Sequence, residues 1–203
     1  MLVALAGYTV AAVLVVLLPG PDTLVVVRSI LRGGRRQGML TALGNLCGLS
    51  LWVLAAALGL AAMLKASEIG YDVLRVVGAL YLVWLGVQAW RSRGAVEEAS
   101  SPHRGGVLGT GFRAGILTNL LNPKVGVFFV AFLPGFIPDG ASVALVSLLL
   151  GAIFVLLTAL YWVVLLGIAG RVIRWMNTPT VRRRIDAATA LVFVGFGLRL
   201  ATE

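Results

Sequence analysis

The chain has 203 residues, 60% of them hydrophobic and 12% charged, with a mean hydropathy of +0.99 and a formal net charge of +9. Soluble domains carry about a quarter charged residues, and disordered chains combine low hydrophobicity with high net charge, so both classes are excluded. The single cysteine, Cys47, and single histidine, His103, exclude a disulfide framework and a four-ligand metal site, which leaves an all-α membrane protein.

A helix needs about 20 apolar residues to cross the hydrocarbon core. The first candidate span, 1–27, holds one charge, Asp22. It does not read as a cleaved signal peptide, because it lacks a basic n-region and apolar sequence continues beyond its polar break. A basic loop follows with Arg28, Arg32, Arg35 and Arg36. The second span, 37–64, is uncharged and carries a small and polar stripe, Thr41, Gly44, Asn45 and Gly48. Cys47 on the same span reads as buried packing. The third span, 69–90, holds Asp72 and Arg75 near its start, where long side chains snorkel. A polar loop over 91–112 contains Ser100, Ser101, Pro102, His103, Gly105 and Gly106. The fourth span, 114–137, holds one charge, Lys124, and a stripe of Gly115, Asn119, Asn122 and Gly126. The fifth, 140–170, is uncharged, and the sixth, 185–201, is the weakest. Asp186 beside it reads as an interfacial residue in a first helical turn. Trp90, Trp162 and Trp175 read as interface belt or packing.

Thirteen of the 17 basic residues fall in the loops after spans one, three and five, and only Lys65, Arg75 and Arg199 on the other side. The positive-inside rule then places both termini outside the cell and the odd-numbered loops in the cytoplasm, as expected for a multi-pass protein of the bacterial inner membrane. Short basic clusters between apolar stretches suit anionic lipids; nucleic acid would need a basic face on a soluble fold.

Two spans accept a charge that costs about 2.5–3.5 kcal/mol at bilayer depth on insertion scales. The runs are Leu18-Pro19-Gly20-Pro21-Asp22 and Asn119-Leu120-Leu121-Asn122-Pro123-Lys124. A helical proline frees the carbonyl four residues earlier, here those of Val15, Leu17 and Asn119. In lipid these must find partners within the protein or in a water-filled cavity. The backbone is therefore expected to be non-helical around 19–22 and 122–124, with both breaks close together in the interior. Residues 1–90 and 113–203 form candidate inverted repeats of three helices, joined by the cytoplasmic loop 91–112. In them Pro21-Asp22 aligns with Pro123-Lys124, and paired interrupted helices point to a transporter binding site. The candidate pathway residues are Pro19, Gly20, Pro21, Asp22, Asn45, Asn119, Asn122, Pro123 and Lys124. Simpler readings stand beside this one: small-residue spacing as helix packing, Asn45 as an interhelical bond, Asp22 as a cap near the inner leaflet. No nucleophile–base pair or metal-ligand constellation is present, so neither an enzyme nor a cofactor is expected. These residues do not by themselves separate a carrier from a channel or a structural subunit.

The chain resembles the LysE/RhtB family of bacterial amino-acid exporters. The resemblance is carried by Pro19-Gly20-Pro21-Asp22, the basic run Arg32-Gly33-Gly34-Arg35-Arg36-Gln37-Gly38 and Asn119-Leu120-Leu121-Asn122-Pro123-Lys124, in a chain of matching length. It implies export of amino acids or related metabolites, driven by protons, by a homodimer. The wider superfamily is similar to metal-ion effluxers, but the spans lack the cysteine pairs or histidine and carboxylate clusters of a soft-metal site. On this reading Asp22 and Lys124 pair in the empty carrier, directly or through water. A zwitterion then takes the place of the pair, its carboxylate at Lys124 and its ammonium at Asp22.

Overall fold

The structure is a computed structural model and describes residues 2–66, 68–91, 109–138, 140–169 and 179–202. His103, Trp175 and most of the 91–112 loop lie outside the described residues, and so do the readings made of them. In chain order the elements are α1 (Leu2–Leu17), α2 (Pro21–Ala66), α3 (Glu68–Arg91), α4 (Phe112–Leu120) and α5 (Pro123–Val127), then α6 (Val143–Gly167) and α7 (Pro179–Thr202). After α5 the chain passes through a π-helical turn, Phe128–Phe132, and a 3-10 turn, Leu133–Phe136. Pro134 sits in that tighter turn and has no N–H to offer the Val130 carbonyl. No strand occurs among the described residues, in keeping with the all-α class.

The basic stretch expected as a loop after the first span is helical instead. Helix α2 runs through it and bends at Gly33 (φ −134, ψ 18) and Gly34 (φ 69, ψ −172), which divides it into arms at 21–32 and 35–66. A positive φ is open to glycine at no steric cost, so the kink needs only two residues. Among the described residues two stretches are long and apolar enough to cross a membrane, Pro21–Gly59 and Val143–Gly167. A third forms if Phe112–Leu120 and Pro123–Phe136, bent by 51° at their junction, count as one.

Lipid tails are as apolar as leucine, so close fit rather than hydrophobic burial holds such helices together. The two stripes of small residues face one another. A Cβ on Gly44 would collide with the Phe112 carbonyl oxygen, and one on Gly115 with that of Thr41. A Cβ on Gly48 would approach the Ile116 oxygen to 3.1 Å, so the second arm of α2 and α4 run parallel. Helices α3 and α7 run antiparallel with reciprocal contacts: a Cβ on Gly86 would lie 2.9 Å from the Ala190 oxygen, and one on Gly197 2.8 Å from that of Ala79. The second arm of α2 is antiparallel to α6, with Val53 against Gly151 and Asn45 against Trp162. A cluster of aromatic rings locks α1 and α6 to the π-helical and 3-10 turns. Tyr8 meets Phe136 edge-on at 5.5 Å, and Phe128 meets Phe154 at 4.7 Å. Such pairs contribute about 0.5–1.5 kcal/mol each beyond burial.

One expectation is corrected here: Cys47 is exposed on α2 rather than buried. Of the two readings made of Trp162, packing is the one observed, since its side chain is buried inside the bundle.

Candidate functional site

Both interruptions have the same local grammar. At the first, 18–20 leave the helix, and the Gly20 oxygen accepts the first bond of α2 from Leu24 N at 3.1 Å. Gly20 is thus the N-cap, Pro21 the first helical residue and Asp22 the second. At the second, only Leu121 and Asn122 leave the helix. Asn122 is the N-cap of α5, its side-chain oxygen accepting from Lys124 N at 3.1 Å. Pro123 is then first and Lys124 second. The non-helical stretches are therefore shorter than expected and shifted upstream: Asp22 and Lys124 lie in helical first turns. The reason is that proline's fixed φ suits the first helical position, where its missing N–H is no loss. Pro21, Pro123 and Leu121 are exposed, so each break faces the interior on one side only.

Two of the three freed carbonyls, those of Val15 and Asn119, have side-chain partners. Lys124 Nζ donates to Val15 O at 2.7 Å and to Leu18 O at 2.8 Å. Val15 O is the acceptor that Pro19 releases. Trp52 Nε1 donates to Asn119 O, released by Pro123, at 3.3 Å. Of the two pairings expected for Asp22 and Lys124, the direct one is not formed: the ammonium goes to backbone carbonyls instead. The physical reason is the helix dipole. A cation at the N-terminal turn of α5 is at the unfavourable end of its own helix, whereas the C-terminus of α1 attracts it. Asp22, an anion at the N-terminal turn of α2, already sits at the favourable end.

Asp22 Oδ2 accepts from Asn119 Nδ2 at 3.1 Å, which joins the first break to α4. Asn45 Oδ1 accepts from Trp162 Nε1 at 3.1 Å, and the Thr23 and Tyr161 hydroxyls are 3.1 Å apart. These groups surround a cavity of about 30 Å³. Its wall includes Gly20, Asp22, Asn45, Asn119, Asn122 and Lys124, with Thr23, Thr158, Tyr161 and Trp162. Four of their polar atoms make no hydrogen bond of close geometry, the acceptors Asp22 Oδ1 and Asn119 Oδ1 and the donors Asn45 Nδ2 and Asn122 Nδ2, although the Asn45 and Asn122 amides both turn toward the Asp22 carboxylate. Leaving such a buried atom unbonded costs about 1–3 kcal/mol. A cluster of four, with both hydrogen-bonding signs present, can receive a small polar or zwitterionic group.

Six of the nine candidate residues thus line one cavity. Pro19, Pro21 and Pro123 shape the breaks without lining it. Asn45 answers both readings made of it: one end of its amide bonds across helices, and the other turns toward Asp22 at the cavity. The reading from sequence missed Thr23, Thr158, Tyr161 and Trp162. For Trp162 a signal existed, since an indole N–H in mid-span needs an acceptor.

Paired helix interruptions with opposite charges around a small polar cavity, inside an apolar helical bundle, are the makings of a membrane transporter and not of an enzyme. The chain belongs to the family of LysE type translocators, whose profile matches residues 13–203. It is 32% identical over 206 residues to the membrane protein YrhP of Bacillus subtilis (strain 168), covering 97% of both chains. It is 32% identical over 199 residues to a leucine efflux protein of Enterobacter sp. (strain 638), covering 96% of this chain and 93% of that one. With a homoserine/homoserine lactone efflux protein of Salmonella typhi it shares 28% identity over 199 residues, covering 97% and 95%. No solved structure matches the chain.

Proposed function

We propose that this protein exports amino acids from the cytoplasm in exchange for protons, and that Asp22, Lys124 and the asparagines between them form the site. The observation that carries the proposal is the gathering of the Asp22 carboxylate, the Lys124 ammonium and three asparagine amides around one cavity where both broken helices meet. A free amino acid offers a carboxylate and an ammonium. The third donor of the Lys124 ammonium and the Asn45 and Asn122 amides suit the first; Asp22 Oδ1 and Asn119 Oδ1 suit the second. Protonation of Asp22 weakens its hold on an ammonium, which is a direct route to exchanging substrate for a proton. Two relatives are named for leucine efflux and for homoserine and homoserine lactone efflux, which supports amino acids as the solute class.

The cavity, at about 30 Å³, has room for one or two waters. Substrate entry therefore needs the half-helices to part, which is the motion expected of alternating access. A six-span arrangement of two inverted repeats, with both termini outside, is part of the proposal. It is supported by the basic-residue distribution and by the packing pattern: α2 lies on α4 as α6 lies on α1, while α2 meets α6 and α3 meets α7. Exchanging the two halves carries these four contacts onto one another, whereas the α2–α3 contact has no α6–α7 counterpart of similar extent among the described residues. A homodimer in the inner membrane is carried by the family resemblance alone.

The test of function is a feeding assay. Cells expressing the chain are loaded with dipeptides, and free amino acids appearing outside are measured against an empty-vector strain. Faster appearance of one or a few amino acids is expected; equal appearance of all of them would defeat the proposal.

A further inference from the structure

The last carbonyls of a helix have no intrahelical donor and carry partial negative charge. In broken-helix transporters such carbonyls, with those of the unwound backbone, coordinate the coupling cation. The first break of this protein presents that arrangement at Val15 O, released by Pro19, and Leu18 O, in the unwound turn. Both oxygens are taken by one group, the Lys124 ammonium, at 2.7 and 2.8 Å. This ammonium comes from a residue 106 positions away, on a different broken helix. It stands in the same cavity wall as the Asp22 carboxylate and yet bonds the carbonyls.

We infer that Lys124 is a tethered cation: its ammonium occupies the monovalent-cation position of the broken α1, so the closed arrangement requires no alkali ion. A cation site made of the Val15 and Leu18 carbonyls then reappears when the amine is removed, and it accepts ammonium, which reproduces the donors of the lost group. The inference holds whatever solute is exported. It also gives the ammonium a second task, since any ligand that draws it off these carbonyls uncaps α1 and favours opening.

The experiment is thermal unfolding of the purified full-length protein in detergent. The wild type, Lys124→Ala and Lys124→Met are compared in choline, sodium, potassium and ammonium chloride at equal ionic strength. The wild type is expected to unfold at one temperature in all four salts. Lys124→Ala is expected to unfold lower in choline and to regain about 3 °C or more in ammonium, saturably. Lys124→Met fills the space with an apolar chain and is expected to be destabilised with no ammonium response. Lys124→Ala responding no more to ammonium than to choline would overturn the inference, as would a wild type or Lys124→Met responding as strongly. Should Lys124→Ala fail to fold in choline, it is prepared in ammonium chloride throughout. Monodisperse protein in ammonium that aggregates on exchange into choline supports the tethered cation; equal loss in both salts overturns it. Because the readout is stability, failure here and failure of the export proposal are separate results.

Discussion

The two broken helices share a grammar, a proline first and a charge second, yet they are held in different ways. The break before Pro123 is largely self-sufficient. Asn122 caps α5 with its own side chain, and Asn119 O receives the neighbouring Asn122 N–H at 3.0 Å as well as Trp52. The break before Pro21 has a glycine as its N-cap, which offers no side chain. The C-terminal carbonyls of α1 depend on Lys124 from the other half of the chain. One interruption is therefore set by local sequence, and the other exists only in the assembled bundle. This asymmetry makes the first break the candidate moving part, since a single displaced ammonium removes its cap.

The largest effect should come from Lys124. Lys124→Met is expected to lower export per folded protein by about a hundredfold, since a site that depends on a charged hydrogen bond discriminates strongly once the partner is lost. Lys124→Arg should recover little of it, because a planar guanidinium does not replace a compact point charge between two carbonyls. Near-normal export by Lys124→Met, measured in membrane vesicles and normalised to folded protein, would break the comparison at its strongest point. Next in size is a packing test. Gly115→Val would drive a branched side chain into the Thr41 carbonyl and the Asn45 backbone, so a loss of about 1–3 kcal/mol is expected in denaturant or thermal unfolding. An unchanged stability would show that the parallel contact between α2 and α4 is looser than described.

Smaller effects sharpen the contrast between the breaks. Asn122→Ala removes the cap of α5 and should cost about 1 kcal/mol, while Asn122→Ser keeps a capping oxygen and should restore most of it. Equal losses in both variants would mean that the cap does not hold this break. The least effect is expected from Trp52→Phe, about 0.5–1.5 kcal/mol, because Asn119 O keeps its backbone donor. Topology is tested separately. Cysteines introduced at Arg93 and Asp139, with Cys47 replaced, should label from opposite sides of the membrane, and labelling from one side in intact cells would contradict the six-span count.

Much of this was legible in the residues, for physical reasons that can be named. Pro19, Pro21 and Pro123 identified the freed carbonyls, because proline's effect is local and has a fixed offset. Two of the three, Val15 O and Asn119 O, have side-chain donors. The facing stripes of Gly44 and Gly115 were legible because close helix contact admits only small residues. The destination of Lys124 was not read, although a hint was available: a cation in a first helical turn is out of place and must reach elsewhere. Pairing with Asp22, directly or through water, was the simpler expectation because opposite charges attract at any distance, whereas the nearness of the α1 carbonyls is a tertiary fact. The kink at Gly33–Gly34 read as a loop because a cluster of arginines and glycines suggests one, and helix continuity through 28–36 depends on packing that sequence periodicity does not display. Cys47 was misplaced for a related reason. In lipid, an exposed helix face is as apolar as a buried one, so hydrophobicity alone does not tell the two apart.

The central claim is that the charges at the two breaks act on substrate and proton, and Asp22 tests it most directly. Inside-out vesicles containing equal amounts of folded wild type or Asp22→Asn are supplied with the amino acid identified by the feeding assay, and uptake is followed with the proton gradient intact and then collapsed. The account predicts that wild-type uptake falls steeply on collapse, whereas Asp22→Asn gives slow uptake that is the same with and without the gradient. Asp22→Asn vesicles with the wild-type rate and the wild-type dependence on the gradient would contradict it.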